Sequence, residues 1–135
     1  MAIAIRGLDH VVLRVADLAR MERFYVEVLG CREERRADDI GLTQLRAGAC
    51  LIDLVEVDGK LGRLGGAAPG AEGRNMDHFC LRVAPFDAAA IRAHLAAHGV
   101  EAGPVERRYG AEGTGPSIYI EDPEGNVVEL KGPPD

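Results

Sequence analysis

Two aspartate–histidine pairs stand in nearly the same setting: residues 9–16 read Asp-His-Val-Val-Leu-Arg-Val-Ala and residues 77–84 read Asp-His-Phe-Cys-Leu-Arg-Val-Ala. Six of the eight positions are identical at a separation of 68 residues. A second correspondence lies further along each copy, where Leu51-Ile52-Asp53-Leu54 matches Val127-Val128-Glu129-Leu130. Each copy therefore carries one imidazole, His10 or His78, and one carboxylate, Asp53 or Glu129. If the copies pair about a pseudo-twofold axis, the four side chains converge near that axis. Mixed nitrogen and oxygen donors of this kind suit a divalent metal: zinc, nickel, iron, cobalt or manganese. A lone histidine on a strand is more often packed or hydrogen-bonded than ligating. Its recurrence with a recurring carboxylate favours the metal.

The elements that must position these residues follow from periodicity. Each Asp-His segment alternates and is rich in β-branched residues, so each reads as a strand with His10, Val12 and Arg14 on one face and His78, Cys80 and Arg82 on another. A helix follows in both copies. Asp17 caps the first, whose apolar positions are Leu18, Met21, Tyr25, Val28 and Leu29; Asp87 caps the second, with Ala88, Ile91 and Leu95. Gly30 and Gly99 close them as left-handed caps. Shorter strands complete each copy, at 42–45 and 50–57 in the first and at 117–121 and 126–131 in the second. The turn Asp122-Pro123-Glu124-Gly125 joins the last two. Residues 58–75 carry six glycines and read as a flexible connection. Residues 107–116 read as a second glycine-rich loop. Neither matches a phosphate-binding fingerprint.

Composition bounds the partners. A chain of 135 residues holds one domain with a real core, here divided as a first unit at 5–57, the linker at 58–75 and a second unit at 76–132. The formal charge of −6 and scattered basic residues exclude a nucleic-acid partner and leave a small molecule. The run Glu33-Glu34-Arg35-Arg36 mixes its signs and reads as a solvated face. No apolar run is long enough to cross a bilayer, and residues 1–6 lack a secretory pattern. Three cysteines, Cys31, Cys50 and Cys80, have no paired spacing, so reduced thiols and a cytoplasmic location are expected. Cys80 shares a face with His78, where a packed thiol is commoner than a soft ligand. His94 and His98, four apart on the second helix, have zinc spacing on paper, but solvent-facing pairs of this kind are common.

Leu8-Asp9-His10, Phe24-Tyr25 with Leu29-Gly30, and Asp122-Pro123-Glu124-Gly125-Asn126 with Val128-Glu129-Leu130 together resemble the recurring motifs of the vicinal oxygen chelate superfamily. That superfamily includes glyoxalase I, fosfomycin-modifying transferases, bleomycin-binding proteins and extradiol dioxygenases. The resemblance implies an α+β fold in which two paired βαβββ units form a cup-shaped mixed sheet with helices outside. It also implies metal ligands at His10, Asp53, His78 and Glu129, and a homodimer.

The activity the resemblance favours is that of a glyoxalase I-like lyase or isomerase, working through an enediolate, with Glu129 as ligand and base. Arg14, Arg74 and Tyr119 stand as substrate-binding residues, and glutathione or another thiol as a candidate co-substrate. Three departures bear on this. Asp53 replaces the usual glutamate and shortens reach by about 1.5 Å. Val57 replaces an asparagine used for glutathione, and Glu106 replaces a frequent lysine. The rival readings are a ferrous dioxygenase or manganese-dependent thiol transferase using His10, His78 and Glu129, and a non-catalytic drug-binding protein. The last is disfavoured by the retained ligand positions and by an aromatic content of 4%.

Overall fold

The computed structural model describes residues 2–135. It divides into two compact units, residues 1–69 and 70–135, so the boundary falls inside the segment expected to link them. The first unit runs β1 (His10–Val15), α1 (Leu18–Arg23, continued by a π turn over Phe24–Val28), β2 (Arg32–Ala37), β3 (Leu42–Ala47) and β4 (Cys50–Glu56). The second runs β5 (Phe79–Arg82), α2 (Ala88–Ala97), β6 (Glu106–Gly110), β7 (Gly113–Glu121) and β8 (Val127–Lys131). Each unit is a four-stranded mixed sheet of the same order, β1-β4-β3-β2 and β5-β8-β7-β6. The fold is α+β, made of two βαβββ units.

Strand position explains burial. In β4, flanked by β1 and β3, Ile52, Asp53, Leu54 and Val55 are all buried; in β8, flanked by β5 and β7, the same holds for Val128 to Lys131. A central strand is paired on both edges, and here burial is continuous along it even though Asp53, Glu129 and Lys131 are charged. The edge strand β1 keeps its alternation, with Leu13 and Val15 buried and Val12 exposed. Both helices begin as expected: the Asp17 carboxylate accepts from Arg20 N at 3.1 Å and Asp87 from Ala90 N at 3.0 Å. Met21, Phe24, Tyr25 and Leu95 supply the buried side chains of the helical segments.

Two expectations about irregular segments are corrected. Residues 107–116 are not a loop: β6 and β7 pair antiparallel from Glu106↔Ser117 to Gly110↔Gly113. The Glu-Glu-Arg-Arg run is exposed, as expected of a solvated face, and lies on strand β2, paired with β3. Both are outer strands with little apolar signature, held by ladder hydrogen bonds rather than by a buried face. On β2 the charges are paired, Arg36 with Glu22 and Glu33, and Arg46 of β3 with Glu34. Finally, the glycine-rich stretch is not featureless. It holds a 3-10 turn at Gly62–Gly65 and a bridge between Gly70 and Gly73.

Candidate metal centre

In the first unit the register sets His10 opposite Leu51, so Asp53 lies two residues further along the neighbouring parallel strand. Side chains two apart share a face, and His10 Nε2 comes to 4.0 Å from Asp53 Oδ2. The other ring nitrogen, Nδ1, is 2.7 Å from the carboxylate of Asp9. Across β3, Gln44 sits opposite Asp53 and its amide nitrogen donates to both carboxylate oxygens at 3.2 Å. Gln44 Oε1 in turn accepts from Arg35 at 3.1 Å. The result is a chain of contacts, Asp9–His10–Asp53–Gln44–Arg35.

The second unit repeats it with different chemistry. His78 Nε2 is 3.3 Å from Glu129 Oε1, and Nδ1 is 2.5 Å from Asp77 Oδ2. Tyr119 takes the place of Gln44, facing Glu129 in the register. The Tyr119 ring meets His78 edge-on, with centroids 5.3 Å apart at 87°. Arg108 takes the place of Arg35, its guanidinium 4.3 Å above the Tyr119 ring. The corresponding chain is Asp77–His78–Glu129–Tyr119–Arg108. Gln44, Arg35 and Arg108 are not flagged by the sequence reading. The signal that finds them is the pairing register: Arg35 and Arg108 lie on the charged outer strands β2 and β6, and Gln44, on the expected strand at 42–45, faces Asp53 only through that register.

The electrostatics of both pairs suit a cation. Asp53 is 4% exposed and Glu129 6%, so each carboxylate has lost most of its water. With Nδ1–H directed at the aspartate, Nε2 turns a lone pair toward a buried carboxylate oxygen. Two acceptors facing one another are relieved by a positive charge between them, a proton or a metal ion. Two donors bound to one ion at ~2.1 Å each sit about 3 Å apart, which the 3.3 Å His78–Glu129 separation approaches. The His10–Asp53 separation is wider, as the shorter aspartate dictates. The His10 pKa is raised, first by the hydrogen bond it donates to Asp9 and then by the charge of Asp53. Tyr119 is pushed up by desolvation and then by the charge of Glu129, which keeps the phenol a donor. The Cys80 thiol, beside Glu129, is pushed up to about 11, first by desolvation and then by that charge.

The turn before β8 holds Glu129 in place. Asp122 Oδ1 accepts from the backbone nitrogens of Glu124 and Asn126, both at 2.9 Å, and Oδ2 accepts from Asn126 Nδ2 at 2.8 Å. Asn126 Oδ1 then accepts from Asn75 at 2.9 Å, tying the turn to the residues that lead into His78.

Among the described residues no group of three or more His, Cys, Asp and Glu side chains gathers as a metal cluster. The structure brings His10 to Asp53 and His78 to Glu129. The expected substrate-binding residues fare differently. Tyr119 is at the centre of the second pair. Arg14 donates to the carbonyls of Gly65, Gly66 and Ala67 at 3.2, 2.7 and 3.0 Å, so its guanidinium holds the loop after the 3-10 turn. Arg74 is exposed. His94 and His98 lie with ring centroids 4.8 Å apart on α2. Cys31, Cys50 and Cys80 are free thiols.

Each βαβββ unit sets one imidazole beside one carboxylate. The family model described as "Glyoxalase/Bleomycin resistance protein/Dioxygenase superfamily" matches residues 7–130, and the chain belongs to that superfamily. It is 34% identical over 132 residues to virulence protein STM3117 of Salmonella typhimurium, covering 91% of this chain and 81% of that protein. The crystal structure of that virulence protein superposes with a TM-score of 0.78 at 27% identity, over 98% of this chain and 100% of the other. An integron cassette protein from the mobile metagenome of V. cholerae gives 0.75 at 27% identity, over 96% and 97%. The fosfomycin resistance protein FosX of Listeria monocytogenes gives 0.69 at 21% identity, over 97% and 96%, a likeness of fold.

Proposed function

We propose that this protein is a divalent-metal enzyme of the glyoxalase I-like type. The ligand residues would be His10 and Asp53 in the first unit and His78 and Glu129 in the second, and a small oxygen-chelating substrate is isomerised or cleaved. The observation that carries the reading is the buried Glu129 carboxylate 3.3 Å from His78 Nε2, with the far ring nitrogen engaged by Asp77. When bound, the ion supplies Lewis-acid polarisation of two adjacent substrate oxygens. The chain supplies the proton chemistry. Glu129 takes a proton from the carbon beside the polarised oxygen and returns it to the neighbouring carbon. Tyr119 flanks Glu129 across the strand pair, and Arg108 stacks on its ring.

Glutathione is not favoured as the thiol partner. Arg14, the residue expected to grip its carboxylate, already donates to three carbonyls. Val57 and Glu106 are also departures from the glutathione-binding pattern. We further infer a homodimer in the cytosol, the latter on the three free thiols.

Two measurements test the reading. Elemental analysis of untagged protein should find about one divalent ion per chain, lost in His78→Ala. Nickel or zinc supports isomerisation, iron would favour oxygenation and manganese group transfer. Deuterium wash-in from solvent should then be followed across α-hydroxyketones and the methylglyoxal–glutathione hemithioacetal. Glu129→Gln should slow exchange roughly 10²-fold or more. Exchange at the parental rate would remove Glu129 as the base.

A further inference from the structure

The second helix carries two imidazoles that the proposed chemistry does not use. His94 and His98 are four apart, and residues at that spacing stand one above the other on a helix. The rings are also disposed as a chelating pair. Their centroids lie 4.8 Å apart, with the planes at 57°. An imidazole bound to a divalent ion keeps its centroid about 3.2 Å from the metal, so two rings at adjacent coordination positions stand about 4.5–5.2 Å apart. The observed separation falls inside that interval.

The turn that carries them is fixed before any ion arrives. His98 N donates to the carbonyls of His94 at 3.3 Å and Leu95 at 3.1 Å. Gly99 N donates to Ala96 O at 3.0 Å and Val100 N to Leu95 O at 2.9 Å, the double closure that ends a helix on a left-handed glycine, here with φ of 70°. Leu95 is 1% exposed and anchors the turn in the core. Ordering the backbone in advance lowers the cost of binding. Both histidines are exposed, and their neighbours on that face, Ala90 and Ala97, are small and uncharged, which leaves room for a hydrated ion. Arg92, two positions before His94 and so off its face, donates to Gly103 O at 2.6 Å. The C-terminal end of a helix also favours positive charge.

We propose that His94 and His98 form a second, labile site for a first-row transition ion, using no residue of the proposed metal centre. Copper(II) is held most tightly, with nickel and zinc behind it. Calcium and magnesium, which need oxygen donors, are not held. Among the described residues no third His, Cys, Asp or Glu side chain joins the pair, so water fills the remaining positions. An ion held by two donors is lost on desalting and does not add to the ion counted in purified protein.

The test uses the intact chain stripped of metal, with zinc alone as the probe. The chain's histidines are His10, His78, His94 and His98, so carbethoxylation by diethyl pyrocarbonate, read by mass spectrometry, compares all four inside one molecule. Micromolar zinc should slow modification of His94 and His98 together severalfold, and calcium should not. The same protection should persist in His78→Ala, which separates this site from the metal centre. The reciprocal variants carry the sharpest readout. In His94→Gln, zinc should no longer protect His98, and in His98→Gln it should no longer protect His94, because each imidazole alone binds at least tenfold more weakly than the chelating pair. Unprotected His94 and His98 in zinc that shields His10 and His78 would overturn the proposal. So would continued protection of His98 in His94→Gln, which would mean separate single-imidazole sites. The wild-type footprint needs no variant and stands even if a variant fails to fold. Protection of His94 and His98 without His10 and His78 would count against the metal centre and leave this site in place.

Discussion

At the scale of single residues, the aspartates preceding the two histidines have the sharpest consequences. Asp77 at 2.5 Å and Asp9 at 2.7 Å hold the Nδ1 side of each ring and direct Nε2 at a carboxylate. Outer partners of this type usually govern metal affinity by 10–100-fold. Asp77→Asn should therefore weaken manganese or zinc binding by roughly that factor in calorimetric titration, with the circular dichroism spectrum unchanged. The pH dependence follows from His10. Its pKa is raised above the ordinary 6.5, with the Asp9 hydrogen bond the largest cause. The imidazolium is favoured fully below 6.5 and loses that advantage as pH rises through the raised value. Metal needs the neutral ring. Affinity should begin to fall, on acidification, at a pH above 6.5. Asp9→Asn should shift the His10 titration, followed by NMR, toward lower pH.

At the scale of elements, the β7–β8 turn is the part most specialised for position. Asp122 is 5% exposed and accepts three hydrogen bonds that close the turn. Removing a buried charged acceptor leaves its donors unsatisfied, so Asp122→Ala should cost about 3 kcal/mol in urea unfolding. The same variant should lower metal affinity, because Glu129 loses its fixed approach. The helices, their caps and the central strands were legible because apolar spacing and capping residues are local signals. Strands β2 and β6 were not, since an exposed, charged edge strand shows no alternation of hydrophobicity. With them went Arg35 and Arg108; Gln44 lies on the expected strand at 42–45, and only the pairing register shows that it faces Asp53.

At the scale of the molecule, the two units repeat the same topology while diverging in the site. The first pairs Asp53 with an amide, Gln44; the second pairs Glu129 with a phenol, Tyr119. The longer carboxylate and the acidic donor both fall in the second unit, which makes it the proton-transferring half of the proposed enzyme. For the whole chain, the inferred homodimer predicts sedimentation at twice the 14.4 kDa chain mass. A monomer at micromolar concentration would remove that inference. No helix of the described residues is long and apolar enough to cross a membrane, and the net charge of −6 predicts retention on anion exchangers above the isoelectric point near 5.2.

From its sequence alone the protein already declares a duplicated strand–helix–strand plan and the histidine–carboxylate positions within it, because repetition, alternation and capping are written in neighbouring residues; the full βαβββ count is implied only by the family resemblance. Tertiary structure decided the rest. Hydrogen-bond register between distant strands chose Gln44 and Tyr119 as the neighbours of the two carboxylates. It also turned Arg14 onto backbone carbonyls. These outcomes depend on which side chains meet across strands, and no local pattern along the chain encodes that distance.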